Sequence, residues 1–322
     1  MERMKASRFS LPSGVMLALL TLPCTQFISP AVTNTVFATQ FEAAEGYDST
    51  YELVGQNGWL GDGSGGNGLV TNLIAGQGQQ AYIGYYPPAT NDDFLIVWKP
   101  VDYYPLASNT PVVRFSVLMS IVDSSTTNYD DFFWSVYNAQ GHRLFTLDFD
   151  NYELAVFCAL DDANGFVATG VLFTSDVDYT LLVTMNFASN LWSATLNDML
   201  LATNKPISTT GAALTLGDVD AVWAVYDPNA PGDNFMLFDN YRITAESVLP
   251  PAPRLELLAR AAGQTSLRLW GQENARYAIE ATTNLTQWTP FKTNVVTGGS
   301  FDYVDTSSSG LTRRAYRARF VP

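Results

Sequence analysis

The segment Asp233–Thr244, with the sequence DNFMLFDNYRIT, decides how this chain is interpreted. Its apolar residues alternate, which predicts a β-strand with one face made of Phe235, Leu237, Tyr241 and Ile243. Met236 and Phe238 fall on the opposite face, so we expect the first half of the strand to be covered on both sides. Asp239 interrupts the apolar pattern. A carboxylate on a buried strand needs a cation, an arginine or backbone N–H groups to offset its desolvation.

The composition favours a β protein. The chain has 322 residues, enough for two domains with their own cores, and it is 13% aromatic but only 15% charged. Short apolar-alternating segments separated by turn signals recur from Gln79 to Tyr226, whereas helical periodicity is almost absent. We therefore predict an all-β fold whose larger part, residues 39–247, is an antiparallel jelly-roll sandwich.

A proline-rich connector is predicted at residues 248–253, where three prolines fall within four positions. Such a segment forms a stiff, extended linker. Six further alternating segments follow within residues 254–322. This number of strands in about seventy residues predicts a small β-sandwich of immunoglobulin or fibronectin size.

The first 38 residues have the pattern of a signal peptide. Arg3, Lys5 and Arg8 precede a short apolar stretch at 15–20, which is too short to span a bilayer. We predict cleavage after Ala38, with Ala31 as the alternative site. The expected destination is the cell exterior or the cell surface.

Charge and cysteine content narrow the possible partners. Residues 39–251 contain 25 Asp and Glu against 5 Lys and Arg, whereas residues 252–322 contain 9 Lys and Arg against 5 Asp and Glu. Nucleic acid is excluded as a partner of the acidic part, because phosphate binding needs clustered basic residues. No segment after the signal peptide could span a membrane. Cleavage would leave Cys158 as the single cysteine, and its apolar neighbours predict a small core residue.

Several motifs of the larger part resemble the concanavalin A-like or laminin-G-like jelly rolls of secreted bacterial proteins. They are Phe41-Glu42, Gln56–Trp59, the hairpin containing Asn138 and Gly141, and Phe238–Arg242. The C-terminal part is similar to fibronectin type III-like modules, on the strength of residues 277–288, 301–305 and 314–318. That second resemblance implies a spacer or an adhesive unit without chemistry of its own.

The first resemblance implies a structural calcium ion, because Glu42 and Asp239 occupy the positions of an early Glu and an Asp on the closing strand. Calcium takes carboxylate and carbonyl oxygens and would neutralise a costly acidic pair. An equally open alternative is that Asp239 caps backbone N–H groups or pairs with Arg242.

Evidence for catalysis is weak in the sequence. The Glu-x-Asp-x-x-Glu pattern of glycoside hydrolases with this fold does not occur. Asp148 and Asp150 share a strand face, but we expect that face to be solvated at a hairpin edge. The chain has one histidine, His142, in a predicted turn. The glycine-rich stretch Gly61–Gly68 lacks the Gly-Lys-Ser/Thr ending of a phosphate-binding loop, and we predict a mobile surface loop.

Exposed aromatic rings are the remaining candidates for ligand binding, because the C–H faces of sugars stack on such rings. Trp59, Trp134, Trp192 and Trp223 lie in apolar alternation and are predicted to be core. The candidate platforms are Tyr85, Tyr86, Trp98, Tyr103, Tyr104 and Tyr137. We expect non-catalytic recognition of an extracellular polysaccharide or a cell-surface glycan. The alternatives are a structural or adhesive protein without a glycan ligand, and a polysaccharide hydrolase or lyase.

Overall fold

The computed structural model describes residues 33–88, 92–247, 252–261, 263–311 and 313–321. These residues form β-strands joined by turns, and helical structure within them is limited to two three-residue 3₁₀ turns. The predicted all-β fold class is therefore confirmed. The described residues form two compact units, a larger one at 33–247 and a smaller one at 252–321. Residues 248–251 of the predicted linker lie outside the described residues. No helix in the described ranges is long and apolar enough to cross a membrane.

The larger unit contains fifteen strands in two antiparallel sheets. The strands are β1 (Thr33–Thr39), β2 (Leu60–Asp62), β3 (Gly65–Thr71), β4 (Gln79–Pro88), β5 (Phe94–Trp98), β6 (Val112–Val122), β7 (Asp131–Tyr137), β8 (Arg143–Asp150), β9 (Ala155–Leu160), β10 (Val167–Leu172), β11 (Asp178–Asn186), β12 (Leu191–Leu196), β13 (Met199–Pro206), β14 (Asp218–Ala224) and β15 (Phe235–Glu246). The eight-stranded sheet has the order β13-β12-β11-β6-β15-β4-β3, with β1 also paired to β15. The seven-stranded sheet has the order β10-β9-β8-β7-β14-β5-β2.

The core lies between these two sheets and is rich in aromatic rings. The four tryptophans predicted to be core, Trp59, Trp134, Trp192 and Trp223, are at most 1% exposed, and Cys158 is buried among them. Tyr241 links the layers, because its ring packs 5.0 Å from that of Phe115 in its own sheet, and its hydroxyl donates to the Val219 carbonyl of β14 at 2.9 Å. Both predictions about the core are confirmed.

The predicted face pattern of β15 is wrong in its first half. Met236 and Phe238 point into the main core together with Tyr241 and Ile243, whereas Leu237 belongs to a small apolar cluster on the outer side of the sheet. The register against β6 shifts between Asp239 and Arg242, and Asn240 has a φ of 52°. This one-residue bulge reverses the parity of the strand, so residues on either side of it cannot be assigned to one face by simple alternation.

The N-terminal strand overlaps the predicted signal peptide. β1 pairs with the second half of β15, from Thr33 opposite Glu246 to Thr39 opposite Tyr241. Cleavage after Ala38 would remove six of its seven residues and expose that edge of β15, whereas cleavage after Ala31 would leave β1 whole. The pairing therefore favours the alternative site, and the cleavage position stays a prediction.

The glycine-rich stretch is not a loop. Gly61 lies in β2, and Gly65–Gly68 open β3. A Cβ on Gly66 would stand 2.8 Å from the ring of Trp223, and one on Gly68 would stand 2.5 Å from the Tyr82 hydroxyl. These glycines are required because large aromatic side chains pack directly on the strand backbone.

The smaller unit has six main strands in two three-stranded antiparallel sheets. They are β16 (Arg254–Ala261), β17 (Gln264–Trp270), β18 (Arg276–Thr282), β19 (Thr289–Val295), β20 (Ser300–Asp305) and β21 (Ala315–Phe320), in the orders β16-β17-β20 and β19-β18-β21. Both sheets contribute to one core around Leu269, Tyr277 and Ile279. The six predicted strands are present, and membership of the fibronectin type III family stays a prediction.

Candidate functional site

The outer face of the seven-stranded sheet carries the most unusual group of side chains. On β7, Phe132, Trp134 and Val136 enter the core, so Phe133 points outward. The same alternation turns Asp148 of β8 and Phe157 of β9 outward. Cross-strand pairing places Asp148 directly between these two rings, opposite Phe133 on one side and Phe157 on the other. The result is a carboxyl group set into an aromatic surface.

Two exposed phenylalanines extend this surface on either side. The ring of Phe133 lies 6.5 Å from that of Phe94 on β5 and 5.6 Å from that of Phe166, which immediately precedes β10. Neighbouring strands are about 4.8 Å apart, so β7 and β10 are separated by roughly 14 Å at the backbone. Their rings therefore converge above the strands between them. Phe94 is 53% exposed and Phe166 is 44% exposed, so both present ring surface to solvent.

This convergence encloses Asp148. The residue is 7% exposed, and its Oδ1 is buried without a hydrogen-bond partner. Burial, together with the nearby charges of Asp131 and Asp150, raises the pKa of Asp148 to about 8. The carboxyl group is therefore mostly protonated at neutral pH. The expectation of a solvated hairpin edge is wrong, because β9 and β10 continue the sheet beyond β8.

Two further acidic residues lie on the same face of the sheet, on β14. Asp220 is 6% exposed, and its Oδ1 also lacks a hydrogen-bond partner. Burial raises the pKa of Asp220 well above its ordinary value, and the charge of Asp218 and a hydrogen bond with it contribute to that rise. Asp218 is paired with Tyr137 of β7, whose own pKa is raised by burial and by Asp220. Two carboxyl groups and a phenol thus share a weakly hydrated site.

A cleft of about 580 Å³ opens beside Tyr137, between the β7–β8 turn and the loop after β13. It is lined by the only histidine of the chain, His142, by Arg143, and by Asp161. Burial alone would raise the pKa of Asp161, but hydrogen bonds from Ser208, Thr209 and Thr210 outweigh it and lower the pKa. The cleft therefore contains the negative charge of Asp161. Three of its lining side chains, those of Tyr137, His142 and Arg143, can donate hydrogen bonds.

The six predicted platform residues do not form one site. Trp98 and Tyr137 are half-buried on the seven-stranded sheet. Tyr85 and Tyr86 lie at the end of β4 in the other sheet, where Tyr85 packs 4.7 Å from Phe235. Tyr103 packs against the core and its hydroxyl is bonded to Thr110, whereas Tyr104 is 49% exposed.

Glu42 and Asp239, the two residues of the calcium prediction, lie within electrostatic range of each other, and the calcium ion itself stays a prediction. Asp239 is 1% exposed, its Oδ1 accepts from the Asn240 N–H at 2.6 Å, and its Oδ2 is buried without a partner. Burial raises the pKa of Asp239 to about 6 against that hydrogen bond, with further contributions from Glu42 and Glu45. The alternative partner Arg242 instead reaches Thr35 at 3.5 Å.

The donor set around Asp239 fits a calcium ion only with help from the backbone. Glu42 Oε1 accepts from the Gln79 N–H at 3.2 Å, and Glu45 is occupied by Thr39 and by nearby N–H groups. Within the described ranges, no group of three or more His, Cys, Asp and Glu side chains is arranged to hold a metal. Carbonyl oxygens would have to complete the coordination, and the unpartnered Asp239 Oδ2 would supply one carboxylate ligand.

The sequence interpretation missed Phe94, Phe133, Phe157 and Phe166 as a surface. Phenylalanine has no polar group, so an alternating strand pattern predicts that it lies in the core. The available signal was Phe132-Phe133, where adjacent rings must lie on opposite faces of a strand. One of them therefore had to leave the main core.

Comparisons with known proteins give structural similarity only. No family model matches the chain, and no curated protein matches its sequence. Similar solved structures include a sialidase, with 7% identity over 65% of this chain and 18% of that chain and a TM-score of 0.46. The cellulose induced protein Cip1 is 12% identical over 66% of this chain and 97% of that chain, with a TM-score of 0.43. Basic winged bean lectin with Tn-antigen is 8% identical over 67% of this chain and 98% of that chain, with a TM-score of 0.43. The chain thus matches less than a fifth of the length of the sialidase. It is similar to these proteins at low identity, and none of them assigns it a family.

Proposed function

We propose that this chain is a secreted, non-catalytic carbohydrate-recognition protein that binds an extracellular polysaccharide or a cell-surface glycan. The observation that carries the proposal is the ring surface on the seven-stranded sheet, where the exposed Phe94 and Phe166 pack against the half-buried Phe133. Aromatic faces stack on the C–H faces of sugars, and carboxyl groups beside the rings are suited to bond sugar hydroxyls.

The setting of these rings supports binding over a purely structural role. Phe94 and Phe133 are held by strands of one sheet, so the stacking surface is formed before any ligand arrives. A structural or adhesive protein without a glycan ligand would be favoured if all six predicted platform residues were buried. Instead Tyr85, Tyr86 and Tyr104 are exposed, at 38%, 58% and 49%.

Retention on insoluble polysaccharides and a glycan array test the proposal. Phe94→Ala and Phe166→Ala remove exposed rings and should leave the fold intact. We expect each to weaken retention about two- to tenfold, because stacking on an aromatic ring is worth about 0.5–1.5 kcal/mol. Leu200→Ala is the control, since it removes an exposed apolar side chain from the other sheet. Equal loss in all three variants, or no retention of the wild type, would reject the proposed site.

Polysaccharide cleavage is a second candidate function, favoured by the protonated Asp220 beside Asp218. A general acid with a raised pKa and a neighbouring carboxyl group are the elements of glycoside hydrolysis. In that role Asp220 donates a proton to the departing glycosidic oxygen. Release of new reducing ends that disappears in Asp220→Asn would support cleavage. Binding without any release of reducing ends would leave recognition alone.

We further propose that Glu42 and Asp239 hold a structural calcium ion with backbone carbonyl oxygens. The support is the unpartnered, buried Oδ2 of Asp239 beside a second carboxyl group. The ion would supply positive charge at the middle of β15. The first half of this strand pairs with β4 there, and the second half pairs with β1.

A further inference from the structure

The surroundings of Asp148 are unusual even within the proposed binding face. Rings of Phe133 and Phe157 stand directly across from it, and residues in such cross-strand pairs have Cβ atoms about 4.5–5.5 Å apart. Phe166 adds a third ring against Phe133 at 5.6 Å. The Oδ1 atom has no hydrogen-bond partner. A buried acceptor without a partner destabilises the fold, so folding alone does not account for this carboxyl group.

No basic side chain of the neighbouring strands can neutralise Asp148. The sequences of β7 and β9, DFFWSVY and AVFCAL, contain no Lys, Arg or His. Arg143, five residues away on β8, is engaged elsewhere, because its guanidinium donates to the Leu160 carbonyl at 2.8 Å and to Thr146 Oγ1 at 3.5 Å. A complementary positive charge must therefore come from outside these strands.

A carboxyl group enclosed by aromatic rings is complementary to an organic ammonium ion. The faces of the rings carry partial negative charge and attract a cation, while a carboxylate forms a charge-assisted hydrogen bond with N⁺–H. An anionic sugar such as a uronate is disfavoured, because Asp131, Asp148, Asp150, Asp218 and Asp220 all lie on this sheet. A neutral sugar would gain only the stacking.

We propose that Asp148, together with Phe133, Phe157 and Phe166, receives the ammonium group of an amino sugar, so that the preferred ligand is a glycan with free amino groups. This inference rests on the proposed carbohydrate-recognition function and specifies its ligand class. The exposed rings stack on the sugar ring, and the enclosed carboxylate selects its nitrogen.

Proton release accompanies this binding. In the free protein the Asp148 carboxyl group is neutral, and the groups facing it are the acidic Asp131 on β7 and Asp150 on β8, with uncharged Phe157 on β9. When an ammonium ion enters, the Asp148 O–H bond breaks and its proton passes to solvent. The carboxylate then pairs with the ligand cation. Binding should therefore strengthen as pH rises up to the pKa of the sugar amine and gain nothing above it, because the amine then loses the proton that makes it a cation.

Calorimetric titration of the full chain tests the inference with two oligosaccharides of equal length, one built from glucosamine and one from N-acetylglucosamine. At pH 6, where the amine is protonated, we expect the glucosamine oligomer to bind at least tenfold more tightly and to release protons, as measured in buffers of different ionisation enthalpy. Asp148→Asn should reduce this preference at least tenfold and abolish the proton release. Asp198→Asn is the matched control, because it removes one exposed acidic charge in the β12–β13 turn of the other sheet.

The outcomes separate this inference from the proposed function. Equal affinity for the two oligomers would overturn the amino-sugar preference and leave carbohydrate recognition in place. Equal weakening by Asp148→Asn and Asp198→Asn would show diffuse charge attraction and would also overturn it. Failure of the glucosamine oligomer to bind overturns the inference, and failure of every polysaccharide to bind overturns the proposed function as well.

Discussion

Replacing Asp148 with Asn should remove a pH-dependent loss of stability from the larger unit. The folded protein keeps the Asp148 carboxyl group protonated up to about pH 8, whereas in the unfolded chain it ionises near its ordinary pKa of 3.8. Between these two values the folded state binds more protons than the unfolded state. Its stability therefore falls as pH rises through this window and is greatest below it.

The magnitude follows from the pKa difference. One pKa unit corresponds to about 1.36 kcal/mol, so a rise from 3.8 to about 8 gives an upper limit of about 5 kcal/mol lost between pH 4 and pH 8. Asn has nearly the same shape and cannot ionise, so the variant lacks this slope. Any change in hydrogen bonding by the amide adds an offset that is the same at every pH. For a unit of this size each kcal/mol shifts Tm by about 2–4 °C.

Urea and thermal unfolding of both proteins at pH 4, 5, 6, 7 and 8 measure this effect. Tryptophan fluorescence is a suitable signal, because five of the seven tryptophans lie in the larger unit. The free energy of unfolding of Asp148→Asn minus that of the wild type should increase with pH, by at least 1 kcal/mol and by up to about 5 kcal/mol in total. Asp198→Asn, which removes an exposed charge, should give a difference that varies little with pH.

Parallel pH profiles for the wild type and Asp148→Asn would refute this reasoning. They would mean that the Asp148 carboxylate finds water or a hydrogen-bond donor in the folded protein. A difference that decreased with pH would require a folded-state pKa below 3.8, the reverse of what burial among Phe133, Phe157 and Phe166 produces.

Three further perturbations test other parts of the molecule. If calcium is bound, EDTA should lower Tm in the wild type but not in Asp239→Asn, because an ion at a hundred times its Kd stabilises the fold by about 2.7 kcal/mol; an unchanged wild-type Tm would reject the site. Tyr241→Phe should destabilise the larger unit by about 1–3 kcal/mol in urea titrations, since it leaves the buried Val219 carbonyl without the 2.9 Å hydrogen bond; a change below 0.5 kcal/mol would show that another donor serves that carbonyl. Mass spectrometry of the exported protein should place its first residue after Ala31, and a start after Ala38 would mean that β1 is not part of the mature sheet.

Strands were predictable from the sequence because each one is a local pattern. Alternating apolar residues located the hairpin of β7 and β8 and the six strands of the smaller unit, and the buried tryptophans followed from the same periodicity. The parity of β15 was not predictable, because one residue in the left-handed region, Asn240, shifts the register. Asn tolerates that conformation better than most residues, but many asparagines in loops do the same. Sequence alone does not reveal which one interrupts a strand.

The candidate site depended on information that no single strand contains. Whether Asp148 faces water is determined by what lies beyond β8, and β9 and β10 place Phe157 and Phe166 there. The exposure of a carboxyl group on a hairpin is thus a property of sheet order. The sequence predicts only which residues of each strand point outward. The order of the strands in the sheet determines which of these residues become neighbours.

The location of Asp148 on a rigid strand favours a role in ligand binding over a carboxyl group without a function. On the opposite side of β8, the ring of Phe145 stacks on Trp192 at 4.1 Å, so the strand that carries the carboxyl group is fixed to the core. A buried acid at such a position lowers stability at neutral pH and could be replaced by Asn or Leu without changing the strand. Features that oppose stability on a well-packed scaffold are concentrated at functional sites. A carboxyl group held between aromatic rings on a fixed strand is the arrangement that the proposed ammonium site requires, because the group can ionise when a cation enters.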